Sequence, residues 1–73
     1  MTGDAYELGV LVRESRITAG ITQTELAQRT GMSQPAIARL ESGGTEPTIA
    51  TLRRVANALD IELVVEFQSS GAA

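Results

Sequence analysis

The chain has 73 residues, of which 42% are hydrophobic, nine are acidic and six are basic, and its formal net charge is −3. This length allows one domain with a small core, and the hydrophobic fraction indicates a globular rather than a disordered chain. Because the sequence has neither cysteine nor histidine, it excludes disulfide bonds and the usual sulfur and nitrogen metal ligands. We therefore expect no metal and no other cofactor.

No apolar run approaches the roughly 18 residues that a membrane-spanning helix needs. The acidic start, T-G-D-A-Y-E after Met1, does not fit a secretory signal, so we expect a soluble, cytoplasmic protein without a membrane partner. The acidic balance argues against strong non-specific binding to nucleic acid. It leaves room for a local basic face, because binding depends on the field at the contact surface.

The first half of the chain predicts two helices. Apolar residues at helical spacing predict the first helix over 5–19, and Gly20 follows as a stop that tolerates left-handed backbone. Thr22 and Glu25 have the spacing of a capping box, which predicts the start of a second helix. That helix ends at Gly31, another residue that tolerates positive φ.

The second half predicts two more helices. Ser33 is the cap of a third helix, with Pro35 in its first turn, where a missing amide costs nothing. This helix reaches about Ser42, and a polar loop then leads to Thr48, the cap of the fourth helix. We assign residues 1–60 to this helical domain.

The spacing of the apolar residues changes near the end of the chain. Apolar and polar residues alternate over 61–68, which predicts a strand, and 69–73 predict a flexible tail. Because the chain offers no second strand, we expect this strand to pair antiparallel with its copy in a homodimer. The alternatives are an extension of the fourth helix or an irregular tail. The expected interface residues are Ile61, Leu63, Val65 and Phe67.

The spacing of three residues predicts a sharp crossing between the second and third helices. Ala27 is small and lies on the inner face of the second helix. Gly31 follows four residues later at the turn, and Ile37 is an apolar residue six positions after that. This pattern favours a helix-turn-helix, although the spacing alone leaves a generic helical hairpin open.

Residues 12–61 resemble the Cro/phage-repressor, or XRE, family of helix-turn-helix domains. The resemblance is carried by V-R-E-S-R-I-T-A-G-I-T-Q-T-E-L-A, T-G-M-S-Q-P-A-I-A-R-L-E-S-G and P-T-I-A-T-L-R-R-V-A-N-A-L. It implies an all-α, compact four-helix, lambda-repressor-like domain, here followed by the short C-terminal β-strand. It also implies a dimer that places the third helix, residues 34–42, in the major groove of a double-stranded DNA operator.

The third helix supplies the expected base contacts. The resemblance implies that Gln34 reads a base, and glutamine can bond N6 and N7 of adenine; a solvated glutamine is the alternative. Arg39 suits guanine O6 and N7, with a phosphate contact or simple solvation as alternatives. Pro35 and Ala38 offer only apolar contact, such as with a thymine methyl group.

Five residues are expected to contact phosphates. In the family, the glutamine at position 23 meets a phosphate and steadies the reading glutamine, and the free amides of a helix start favour a phosphate. The other four are mainly caps or loop residues, with secondary contacts: Thr22, Ser33, Ser42 and Thr45. Many relatives carry lysine or arginine after the third helix, whereas this chain has Gly-Gly-Thr-Glu over 43–46, which lowers the expected strength of DNA binding.

The resemblance also implies a structural ion pair between Arg16 and Glu41. We interpret the arginines at positions 13, 53 and 54 as solvated surface residues. The serines have no identifiable base, and a phosphate-binding loop is excluded because the sequence has no lysine. We therefore do not expect an enzyme.

Three functional hypotheses remain at this point. The first is an autonomous transcriptional repressor. The second is the antitoxin of a toxin–antitoxin pair, which represses its own operon and neutralises a cognate toxin protein; small size and acidic balance fit it. The third is a protein-interaction module that kept the fold without DNA binding, which the acidic loop favours slightly.

Overall fold

The computed structural model describes residues 4–69 and residue 71. Over these residues the chain forms four helices, and each begins within one residue of its predicted start. The helices are α1 (Ala5–Thr18), α2 (Gln23–Thr30), α3 (Gln34–Glu41) and α4 (Ile49–Ala58). None of the described helices has the length and apolar character needed to cross a membrane.

Each helix begins at a side-chain cap that satisfies an otherwise unpaired amide of the first turn. Thr22 Oγ1 accepts from the amide of Glu25 at 3.0 Å, which is one half of the predicted capping box. The Glu25 carboxylate accepts from Arg29 at 2.9 Å. The other caps are Asp4, Ser33 and Thr48.

The helices end where a residue adopts left-handed backbone. Gly20 and Gly31, both predicted as stops, have φ of 76° and 73°. At the end of α4 the left-handed residue is Asp60, with φ of 58°, although it carries a side chain. The amide of Ile61 returns to the carbonyl of Ala56 at 3.0 Å, which closes the helix. The proposed extension of the fourth helix is therefore wrong.

The core is built by α2 and α3 packing on each other, with α1 against α3 and α4 against α2. Ala27 and Ile37, the residues whose spacing predicted the crossing, are 5% and 0% exposed. The other buried apolar members of the cluster come from the four helices and from the residues just after α1 and α4: Val12, Ile21, Leu26, Leu40, Leu52, Val55 and Leu59.

One contact brings the backbones of α1 and α3 unusually close. Gly9 is buried in the middle of α1, and a Cβ built there would lie 2.5 Å from the carbonyl oxygen of Leu40 and 2.7 Å from that of Glu41. The end of α3 can therefore lie against α1 only because position 9 has no side chain. This contact places Glu41 beside α1.

The predicted strand over 61–68 is absent from the single chain, since residues 61–69 form neither helix nor strand. A strand must pair with another strand, and no segment of the described chain provides one. Of the alternating residues only Leu63 packs partly against the core. The exposed fractions of Ile61, Val65 and Phe67 are 48%, 61% and 105%. Most of the predicted tail over 69–73 lies outside the described residues.

Candidate nucleic-acid interface

The turn between α2 and α3 is held by backbone bonds and by one arginine from α4. The amides of Gly31 and Met32 both return to the carbonyl of Ala27. Arg54 donates to the carbonyl of Thr30 at 2.7 Å, which satisfies a free carbonyl at the end of α2. The interpretation of Arg54 as a merely solvated residue is therefore wrong. These bonds fix the angle at which α3 leaves the turn.

The outer face of α3 carries the residues expected to touch bases. Gln34, Pro35 and Arg39 are exposed and Ala38 is half-buried, and their helical spacing places them on one side. Ile37 and Leu40 point the other way and are buried. The structure thus brings all four base-contact candidates onto a single solvent-facing surface.

Arg39 lies on this surface without a charged partner among the described residues. Its stem packs against the turn that follows α3, because a Cβ at Gly44 would lie 2.9 Å from Arg39 Cγ. Gly43, with φ of 79°, would bring a Cβ within 2.9 Å of the Tyr6 Cα. Close packing against the Tyr6 backbone therefore requires glycine at position 43, whereas the nearest atom at position 44 belongs to the flexible Arg39 side chain.

A chain of hydrogen bonds connects α1 to the first residue of α3. Arg16 Nε donates to Glu41 Oε2 at 2.7 Å, and its Nη2 donates to Oε1 at 3.1 Å. Gln23 Nε2 donates to the same Glu41 Oε1 at 3.1 Å. Gln34 Nε2 then donates to Gln23 Oε1 at 2.9 Å. We call these four residues the Arg16–Gln34 chain.

The buried end of the Arg16–Gln34 chain is an ion pair, and its outer end is solvent-facing. The side chains of Arg16 and Glu41 are 13% and 3% exposed, whereas Gln34 is exposed. The hydrogen bond that Arg16 donates to Glu41 raises the pKa of Arg16, against the opposing effect of burial. Arg16 also donates to the carbonyl of Ile21 at 2.9 Å. The charged pair is therefore a fixed anchor for the two glutamines.

The phosphate candidates lie at the starts of α2 and α3 and in the segment that follows α3. Thr22 and Ser33 serve as caps, and Gln23 stands at the start of α2, bonded to Gln34. After α3, Ser42 Oγ donates to the Arg39 carbonyl at 3.0 Å, and Thr45 is exposed in the loop. Their hydroxyl groups already have structural uses at three of these positions.

The sequence reasoning missed the bond between Gln23 and Glu41. It assigned Glu41 to Arg16 alone, although a carboxylate accepts several hydrogen bonds. It also missed the requirement for glycine at position 9, because a glycine inside a helix does not indicate which other helix packs against it. Within residues 4–69 and 71, no group of acidic side chains is arranged to hold a metal ion.

The comparisons with known proteins concern most of the chain. The model of the helix-turn-helix family HTH_3 matches residues 12–65. An HTH-type transcriptional regulator of Methanothermobacter thermautotrophicus is 42% identical over 52 residues, covering 71% of this chain and 75% of that protein. The ImmF control region 10 kDa protein of Bacillus phage phi105 is 34% identical over 62 residues, covering 85% and 69%.

Solved structures of regulators resemble the fold. The restriction-modification controller protein C.AhdI from Aeromonas hydrophila has a TM-score of 0.78 at 30% identity, covering 81% of this chain and 86% of that one. The clp gene regulator ClgR from C. glutamicum has a TM-score of 0.79 at 30% identity, covering 81% and 76%. In both, the likeness covers 81% of this chain rather than a single motif.

Proposed function

The chain belongs to the helix-turn-helix family HTH_3 and is a DNA-binding transcriptional regulator, not an enzyme, and we propose that it acts as a dimeric repressor on a palindromic operator. In this proposal α3 enters the major groove and Gln34 reads a base pair. The observation that carries it is the position of Gln34. Its side chain is exposed at the start of α3, yet its amide is held by Gln23 at 2.9 Å.

A held but exposed amide is suited to reading, because it meets a base edge without first losing its rotamer freedom. Arg39 lies five residues further along the same face, with its guanidinium available for guanine or for a phosphate. Pro35 and Ala38 both offer apolar contact to a base, such as to a thymine methyl group. The start of α2 at Gln23 supplies free amides for a phosphate, with secondary contacts from the four hydroxyl side chains: Thr22, Ser33, Ser42 and Thr45.

The test of this proposal is the loss of specific binding in Gln34→Ala. Duplexes that the wild-type chain enriches from a randomised library serve as the specific probe, and a scrambled duplex serves as the non-specific one. Loss of a two-bond contact weakens specific binding by about 1–3 kcal/mol and leaves non-specific binding nearly unchanged. Gln28→Ala is the matched control, since Gln28 is an exposed glutamine of α2. Equal losses on both probes would contradict base reading by Gln34.

The proposed dimer rests on the apolar surface at the chain's end. A cavity of about 350 Å³ lies between α1, α4 and residues 61–64. A second one, of about 630 Å³, continues along it to Phe67. Exposed apolar side chains beside such a groove favour association. Pairing of 61–68 with its two-fold copy would satisfy the backbone of both segments and cover Ile61, Leu63, Val65 and Phe67.

On an operator, such a dimer would have to hold its two reading helices about 34 Å apart. Phe67→Ser removes exposed apolar surface without touching the core, and Gln68→Ser is its control. We expect Phe67→Ser to shift sedimentation toward the monomer and to weaken operator binding, while the control stays dimeric. If the wild-type chain sediments as a monomer, the proposed dimer is wrong, and the apolar surface would instead bind another protein, such as a toxin.

A further inference from the structure

We propose that Glu41 is a positioning residue for base reading, because its carboxylate determines which way round Gln34 presents its amide to a base pair. This inference rests on the proposed function, since it concerns how α3 selects a base. It assigns Glu41 a role beyond its ion pair with Arg16. The observation behind it is the bond of 3.1 Å between Glu41 and Gln23.

The direction of the two glutamine amides follows from the chemistry of a carboxylate. An ionised carboxylate only accepts hydrogen bonds, whereas an amide has a donating nitrogen and an accepting oxygen. Gln23 must therefore turn its Nε2 toward Glu41. Its Oε1 then faces Gln34, and only the nitrogen of the Gln34 amide can donate a hydrogen bond to this oxygen. One buried carboxylate thus orders both amides.

The ordering leaves Gln34 with a defined set of free groups. Of its two N–H groups, one is given to Gln23, so one N–H and the carbonyl oxygen remain. Adenine presents an acceptor at N7 and a donor at N6, which matches this set. Guanine presents two acceptors, at N7 and O6, and needs two donors. The Arg16–Gln34 chain therefore favours adenine and disfavours guanine at the base pair that Gln34 reads.

Glu41→Gln removes the directing group with little change of shape. The new amide can donate as well as accept, so Gln23 is free to reverse and to offer its nitrogen to Gln34. Gln34 would then accept with its carbonyl oxygen and keep two N–H groups, which suit guanine. The expected result is a loss of discrimination at one base pair rather than a uniform loss of affinity.

The experiment uses the duplex that the wild type enriches from a randomised library. The base pair read by Gln34 is identified as the one whose preference disappears in Gln34→Ala. Fluorescence anisotropy then gives Kd for the duplex with adenine and with guanine at that position. We expect the wild type to prefer adenine by about tenfold or more. In Glu41→Gln we expect the two Kd values to lie within about threefold of each other.

Arg16→Lys is the matched control, because it weakens the same ion pair but keeps the acceptor-only carboxylate. Variants are compared at a temperature where circular dichroism shows each to be folded. A control that keeps the adenine preference supports the proposal. The proposal fails if Arg16→Lys loses the preference as Glu41→Gln does, since the role is then structural. It also fails if Glu41→Gln keeps the preference, or if the wild type prefers guanine.

A second measurement needs no variant. In the free wild-type chain, NMR can detect coupling across a hydrogen bond between the Gln34 side-chain nitrogen and the Gln23 side-chain carbonyl carbon. The proposal requires coupling in this direction, and coupling in the reverse direction or in neither overturns it. Failure of the library to enrich any duplex would instead count against the proposed DNA-reading function, while the NMR result would still decide the direction of the amides.

Discussion

Gly9→Ala should destabilise this protein, although alanine is the better helix former. In an exposed helix interior the same change stabilises by about 1 kcal/mol. Here the new Cβ would lie 2.5 and 2.7 Å from two backbone carbonyl oxygens at the end of α3. Backbone atoms at a helix end cannot rotate away as a flexible side chain can, so α1 must shift. Overpacking of this kind costs about 1–3 kcal/mol, and more where nothing yields.

Subtracting the gain in helix propensity leaves a net loss of up to about 2 kcal/mol, and more where the backbone of α3 cannot yield. For a domain of this size each kcal/mol lowers Tm by about 4–8 °C. Thermal unfolding followed by circular dichroism measures the loss. Thr18→Ala is the control, because Thr18 is an exposed residue of α1 and its replacement should raise stability slightly. A Gly9→Ala variant as stable as the wild type would refute the close approach of α1 and α3.

Three further predictions concern the anchor, the end of α4 and the charge. Arg16→Ala or Glu41→Ala should each lower the free energy of unfolding by up to about 3–5 kcal/mol, because each leaves the other charged side chain without its ionic partner in a largely buried site. Replacing both with apolar residues should recover much of this loss, and denaturant titrations measure it. Asp60→Gly should raise stability by up to about 1 kcal/mol in the same titrations, because Asp60 holds left-handed backbone with φ of 58°. Operator affinity should depend weakly on salt, because Arg39 is the arginine without a charged partner on the outer face of α3 in the described chain. A dimer that neutralises one phosphate per subunit has a logarithmic slope of about −2, and a much steeper slope in a salt titration would show a stronger local field.

Local signals in the sequence predicted the helix boundaries well, because caps and stops act within a few residues. A hydroxyl at the start of a helix satisfies an amide three positions away, whatever the rest of the fold does. A glycine after the last turn likewise adopts positive φ without strain. The confirmed caps and stops are Thr22, Ser33, Thr48, Gly20 and Gly31.

Contacts between distant segments were harder to predict. The requirement for glycine at position 9 depends on which carbonyls cross it, and the bond from Arg54 to Thr30 depends on where α4 lies. The alternation over 61–68 had the period of a strand, but period alone does not supply a pairing partner. In the single chain the segment is therefore without regular structure, and its strand form stays a prediction about the dimer.

The net charge of −3 is compatible with DNA reading because of where the charges lie. Between Gln23 and Glu41 the chain has two arginines and two glutamates. Glu25 is paired with Arg29, and Glu41 is paired with Arg16 from α1. Arg39 is left on the outer face of α3, while three of the nine acids fall within residues 60–66. In the proposed function the overall field adds little attraction, so base selection would depend on the geometry of α3 and on the Arg16–Gln34 chain that holds Gln34.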